Sequence, residues 1–183
     1  MTVIVYDSKR ELMIADSRAT SGGSHPIGAK MKIHEITAGK CNGALLGVTT
    51  DIPGLGEAFK EWVTEGMSKE AFDPSFPGLG ALLVKRDNSV YLFAGSYFPS
   101  GPLVGDVFTI GSGAEYALGA YKACGDPFRA VEVAIECDPL CGPPIVSRQL
   151  RTPDANQPRR PGVSFDFSET SVAAQLPDRL RTR

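Results

Sequence analysis

The chain has 183 residues, 42% of them hydrophobic and 22% charged, with a net charge of −2. That length supports one domain with a substantial core, and the near-neutral charge leaves no electrostatic footprint for nucleic acid. No stretch reaches the roughly 18 apolar residues that a membrane helix needs, and no basic-then-apolar leader opens the chain, so a cytoplasmic protein is expected.

In chain order, the alternating run Thr2-Val3-Ile4-Val5 predicts a strand over 2–7, and Leu12-Met13-Ile14-Ala15 a second over 11–17, around the polar turn Asp7–Arg10. Residues 21–26 read as a loop by composition. A second strand pair is expected at 29–36 and 43–49. After Asp51 the period changes: Ile52, Leu55, Ala58, Phe59, Trp62, Val63 and Met67 mark one face of an amphipathic helix, with Asp51 as N-cap and Pro53 in the first turn. Residues 72–78 break regular structure. Strands follow at 79–86 and 89–95, then a Gly/Pro-rich passage and a short buried strand at 107–110. Gly111-Ser112-Gly113 leads into helices at 114–123 and 127–137, and Ile145-Val146 begins a last strand. Beyond Arg151 the prolines at 153, 158, 161 and 177 predict an extended, mobile tail (151–183) after a domain over 1–150, with 163–167 as a candidate edge strand. Grouped hairpins with separate helical segments indicate an α+β layered fold rather than strict alternation.

The four cysteines, Cys41, Cys124, Cys137 and Cys141, show no Cys-x-x-Cys spacing and the histidines are His25 and His34, so neither a metal site nor a cofactor is expected. Free thiols of a reducing compartment are the expected state.

The residues with chemical potential begin at Thr2. Removal of Met1 leaves a threonine whose hydroxyl is a nucleophile and whose α-amine, with a pKa of roughly 7.7–8.0, is a base near the operating pH. A cation lowers the pKa of both groups, and Lys32 is the candidate; Asp16, at the end of an apolar strand, is its candidate partner, because a buried charge left unpaired is strongly destabilising. Gly47 interrupts the apolar run Leu45-Leu46-Gly47-Val48, which suggests a close backbone approach and a candidate oxyanion donor. Ser112 is placed to hydrogen-bond the amine. Taken singly, each has a plainer reading: a strand terminus, a solvated lysine, a weak spot in a strand, a tight turn.

In combination these motifs resemble the β subunits of the proteasome and the HslV-type peptidases, which are N-terminal-nucleophile hydrolases. The resemblance rests on Thr2, Ile14-Ala15-Asp16-Ser17-Arg18-Ala19-Thr20, Lys32-Ile33-His34-Glu35-Ile36, Leu46-Gly47-Val48-Thr49-Thr50-Asp51 and Ile110-Gly111-Ser112-Gly113-Ala114-Glu115-Tyr116-Ala117, with Asp138-Pro139-Leu140-Cys141-Gly142 as a further match. It implies a four-layer α-β-β-α sandwich with two stacked antiparallel sheets. It implies Thr2 as nucleophile and base, Asp16 and Lys32 as the supporting ion pair, Gly47 as oxyanion donor, and Ser112 and Asp138 as organisers of the threonine amine. Ala19, Lys30, Leu45 and Thr49 match substrate-pocket positions. The implied assembly is a stacked ring of six or seven identical subunits around a chamber that admits peptides or unfolded chains, with an ATPase unfoldase as a further implied partner.

The departures are a short Thr2–Asp16 hairpin, no room between Trp62 and Leu79 for a second long helix, Val48 in place of a second glycine, and Cys141 where a serine is common. This layout is closer to small bacterial proteasome homologues than to HslV itself. Two alternatives accompany the threonine endopeptidase: an amidase using the same nucleophile on a small amide, and a catalytically silent ring or scaffold, the state expected if Met1 is retained.

Overall fold

Side-chain alternation along the first hairpin decides the layering. The computed structural model describes residues 2–20, 25–68 and 78–151. In chain order the elements are β1 (Ile4–Asp7), β2 (Leu12–Ala15), β3 (Arg18–Thr20), β4 (Pro26–Ala29), β5 (Ile33–Glu35), β6 (Leu45–Thr50), α1 (Leu55–Thr64), β7 (Leu79–Val84), β8 (Val90–Ala94), β9 (Ser100–Leu103), β10 (Val107–Ile110), α2 (Ala114–Cys124), α3 (Pro127–Cys137) and β11 (Val146–Gln149). One antiparallel sheet runs β10-β1-β2-β11, a second runs β5-β6-β7-β8-β9, and β3 with β4 forms a separate two-stranded ribbon.

Successive strand residues face opposite sides of a sheet, and three apolar clusters follow from that rule. Val3, Val5 and Ile14 face α2 and α3, packing on Ala117, Tyr121, Ala130, Val131 and Ala134. Ile4, Tyr6, Met13 and Ala15 face the other way, onto Ile33, Leu45, Leu82, Val84 and Val90 of the second sheet. Leu46, Val48, Ala81, Leu83 and Phe93 then turn to α1, where Phe59 and Trp62 interlock with Phe93 and Tyr97. The order is helices, sheet, sheet, helix: a four-layer α-β-β-α sandwich, as the motifs imply.

The helix boundaries have local causes. Asp126 caps α3 by accepting from the Phe128 and Arg129 N–H groups, with Pro127 in the first turn, and Gly125 ends α2 in the left-handed conformation. The first helix starts later than its apolar period suggests. The Thr50 hydroxyl takes the Ile52 N–H at 3.1 Å, tying a turn to the end of β6, and Gly54 at φ 83° is the N-cap position, not Asp51.

Two further differences concern strands. The expected strand at 29–36 is divided: Pro26–Ala29 pairs with Arg18–Thr20, and Ile33–Glu35 pairs with β6. The Gly/Pro-rich passage contains β9, an edge strand, where proline is tolerated; a side chain at Gly101 would meet the Val90 carbonyl at 2.7 Å. The contacts divide the chain into units Met1–Thr152 and Pro153–Arg183. The expectations for a tail and for an edge strand at 163–167 lie outside the described residues, as do residues 21–24 of the loop expected at 21–26, whose last residue, Pro26, opens β4, and residues 72–77 of the break expected at 72–78.

Candidate active site

Where β2 ends, the chain turns Asp16 inward and buries it completely. Its carboxylate is saturated with donors. One oxygen accepts the Val3 N–H at 3.0 Å and the Lys32 ammonium at 2.8 Å; the other accepts the Arg18 N–H at 3.2 Å and the Gly142 N–H at 3.0 Å. Lys32 is itself only 6% exposed. Burial drives its pKa below the ordinary lysine value, opposed by the charge and hydrogen bond of Asp16. The consequence is positional: the ammonium and the peptide that follows Thr2 share one carboxylate oxygen.

The other side of Thr2 is built by the strand–helix joint. The Thr2 nitrogen donates to the Ser112 hydroxyl at 3.2 Å, and the Thr2 carbonyl accepts the Gly113 N–H at 3.2 Å. A side chain on Gly111, which has φ 99°, would collide with that carbonyl, and one on Gly113 would press Val3 and Cys141 at 3.0 Å. The glycines flanking Ser112 are therefore required by close approach to the start of β1. Ser112 does not cap α2, whose N-cap position is Gly113 with no side-chain cap. Its hydroxyl belongs to the Thr2 side.

Behind Ser112 stands Asp138, held at the end of α3. Burial works to raise its pKa, but hydrogen bonds from Ser112, the Leu140 N–H at 2.9 Å and the Cys141 thiol at 3.3 Å outweigh it, and the carboxyl lies below its usual range. Cys141 is fully buried, and burial, with Asp16 and Asp138 nearby, pushes its thiol up to about 12. It is a protonated donor at neutral pH. Arg18 ties this loop to the strand end, its guanidinium donating to the Pro139 carbonyl at 2.6 Å and lying against Gly142.

Thus Thr2, Asp16, Lys32, Ser112 and Asp138 come together. Gly47 has a different role from the one its sequence context suggests. Val48 N–H donates to the Lys32 carbonyl and Ile36 N–H to the Ala44 carbonyl, so the even-numbered amides of β6 face β5. Antiparallel alternation then turns the Gly47 amide toward its partner Leu82 on β7, within the sheet. The expected oxyanion donor thus lies within the β6–β7 ladder. Position 47 is glycine because two layers meet there: a Cβ would stand 3.0 and 3.1 Å from Ile4 and 3.2 Å from the Met13 sulfur. Gly47→Ala is expected to lower stability by about 1–3 kcal/mol through overpacking, read as an earlier midpoint in urea; an unchanged midpoint would show that the layers can separate without cost.

The same parity places the four pocket candidates. Leu45 is 1% exposed and packs in the inter-sheet core with Ile4, Ile33 and Leu82. Thr49 shares that face, its methyl 2.8 Å from the place a Cβ on Gly80 would take. Lys30 does face α1, pairing with Glu57 at 2.7 Å, and half-buried Ala19 lies on β3 opposite Gly28. The residues of β6 directed at α1 are Leu46, Val48 and Thr50, the last two flanking Gly56. The hydrophobic phase of β6 against α1 is what directs them there. Among the described residues no cluster of three metal-ligating side chains occurs.

No family model matches the sequence, and no curated protein matches it significantly. Solved structures do resemble the fold. "Thiobacillus denitrificans BPH in complex with Epoxomicin" superposes with a TM-score of 0.61 at 14% identity, covering 82% of this chain and 100% of that one. Eukaryotic HslV from Trypanosoma brucei gives 0.55 at 15% identity, covering 80% and 98%. A second Thiobacillus denitrificans BPH structure gives 0.56 at 17% identity, covering 82% and 98%. Identities at this level establish the fold: the sandwich is of the HslV and proteasome type.

Proposed function

We propose that the chain is a threonine peptidase of the N-terminal-nucleophile class, working as a homo-oligomeric stacked ring on peptides or unfolded chains, with Thr2 exposed by removal of Met1. The observation that carries this reading is the placement of Lys32 and Val3 on one oxygen of Asp16. It sets a buried cation beside the first residue that has both a hydroxyl and, once Met1 is gone, an amine. A structural ion pair has no need to share its carboxylate oxygen with the amide that directly follows a threonine.

The chemistry is acyl transfer. The Thr2 amine takes the proton from its own hydroxyl as Oγ attacks the scissile carbonyl carbon. The tetrahedral adduct expels the amine of the departing peptide, which leaves with that proton, and an ester remains on Oγ. Water then attacks the ester carbonyl, gives its proton to the amine and releases the acid, restoring the hydroxyl. Lys32 supplies positive potential that favours the ionised hydroxyl and the neutral amine, while Asp16 holds the ammonium in place. Ser112, backed by Asp138 and Cys141, orients the amine. Cytoplasmic location and delivery by an ATPase unfoldase belong to the same proposal.

The test is intact-mass analysis of the purified protein before and after epoxomicin, the compound held by one of the structural relatives. Loss of Met1 and one adduct per chain, mapped to Thr2, is the expected result. A retained methionine with no adduct favours the silent-ring alternative.

A further inference from the structure

At the open side of the sandwich, the edge strands of the two sheets, β5 and β11, border a cleft of about 420 Å³ lined by Met31, Ile33, His34, Glu35, Lys60, Arg148 and Arg151. Its volume lies within the ordinary span of small-molecule sites, roughly 300–1,000 Å³. The charge it collects runs against the composition of the chain. Three permanent cations converge with one carboxylate, in a protein whose net charge is −2. That carboxylate, Glu35, stands 3.6 Å from Arg151. The Arg148 guanidinium donates to the carbonyl of its neighbour Ser147, and among the described residues neither Arg148 nor Lys60 forms a salt bridge with a carboxylate. Half-buried His34 lies among these cations; burial and then the charge of Lys60 drive its pKa down, so it presents a neutral imidazole. An excess of like charge in a recess is unfavourable by itself, and a bound anion relieves it.

We propose that this cleft binds a phosphate group, held by the Arg148 and Arg151 guanidiniums and the Lys60 ammonium, with the His34 imidazole as a further donor. Planar guanidinium forks match tetrahedral oxyanions by paired hydrogen bonds. A lone phosphate does not fill the cleft, and Met31, 39% exposed, offers an apolar wall beside the cations. A phosphate ester with an organic substituent therefore fits better than the free ion. None of its lining residues belongs to the Thr2 cluster, and the proposal does not depend on the peptidase reading.

The experiment is calorimetric titration of the full-length protein with inorganic phosphate and with phenyl phosphate at fixed ionic strength, alongside the imidazole signals of His34 by NMR. Saturable binding of one phosphate per chain, with a shift confined to His34 among the two histidines, is expected. Tighter binding of phenyl phosphate assigns the site to an ester, and equal binding to free phosphate. Arg148→Gln and Lys60→Gln are each expected to weaken binding about tenfold or more, the scale of one charge-assisted hydrogen bond. Arg129→Gln, whose partners are Glu132 and Glu136 on α3, leaves it unchanged. Heat matched by sodium chloride alone, or equal affinity in the Arg148 and Lys60 variants, overturns the proposal.

Discussion

Asp16→Asn lowers folding stability by about 3–5 kcal/mol, the scale of removing one partner from a buried ion pair. The geometry explains why so small a change is costly. Each carboxylate oxygen accepts two donors: Val3 N–H and Lys32 on one side, Arg18 N–H and Gly142 N–H on the other. Whichever way an asparagine is turned, its NH₂ group points at two other donors. Lys32 then loses the negative charge of Asp16, and one pair of donors loses its acceptor, either Val3 N–H with Lys32 or the Arg18 and Gly142 N–H groups, each with its own desolvation cost. Whole domains are stable by roughly 5–15 kcal/mol, so the variant is expected to be marginal at best. Urea unfolding followed by circular dichroism measures this. A loss below about 1 kcal/mol would mean that water reaches the pair and that its burial carries no energetic weight.

Lys32→Met gives the contrast that assigns the cause. Removing the cation leaves the carboxylate with three backbone N–H donors, from Val3, Arg18 and Gly142. A carboxylate so held stays compensated, and methionine fills the volume of the lysine stem. The loss is therefore expected to be smaller than for Asp16→Asn.

The part of this organisation legible in the sequence is the part carried by side-chain period. Val3, Val5 and Ile14 against Ile4, Tyr6 and Met13 specify two buried faces for one sheet, and the helical stripe of Phe59, Trp62 and Val63 specifies the layer beyond the second sheet. The convergence of Asp16, Lys32, Ser112 and Asp138 on Thr2 was legible through motif resemblance, since no spacing along the chain brings positions 16 and 138 together. Register was not legible. A shift of one residue exchanges the two faces of a strand, and in Leu45-Leu46-Gly47-Val48 both phases are apolar. The sequence therefore left open which of Leu45 and Leu46 belongs to the inter-sheet core, and whether the Gly47 amide points out of the ladder. Backbone donors were equally invisible: the N–H groups of Val3, Arg18 and Gly142 act whatever side chains those residues carry. Strand β9 escaped because Ser100-Gly101-Pro102-Leu103 has strand geometry without strand composition.

Thr2→Ala is expected to abolish hydrolysis, by at least about 10⁴-fold, the loss typical when a covalent nucleophile is removed, while rings assemble and the melting temperature is unchanged within error. Thr2 is 3% exposed, and the contacts that hold it are made by its backbone nitrogen and carbonyl with Ser112 and Gly113, which alanine retains. Lys32→Met is expected to cost about 10²–10⁴-fold, the contribution of proton transfer aided by a positioned group, because hydroxyl and amine then return toward their solution pKa values. The two variants separate chemistry from scaffolding. If Thr2 is the nucleophile, the double variant is no slower than Thr2→Ala alone, since Lys32 has nothing left to activate. Peptide-hydrolysis rates of the two single variants and the double variant decide the matter. Residual activity in Thr2→Ala that falls further on replacing Lys32 would place the nucleophile elsewhere and leave the Asp16–Lys32 pair as a structural feature of the β2 terminus.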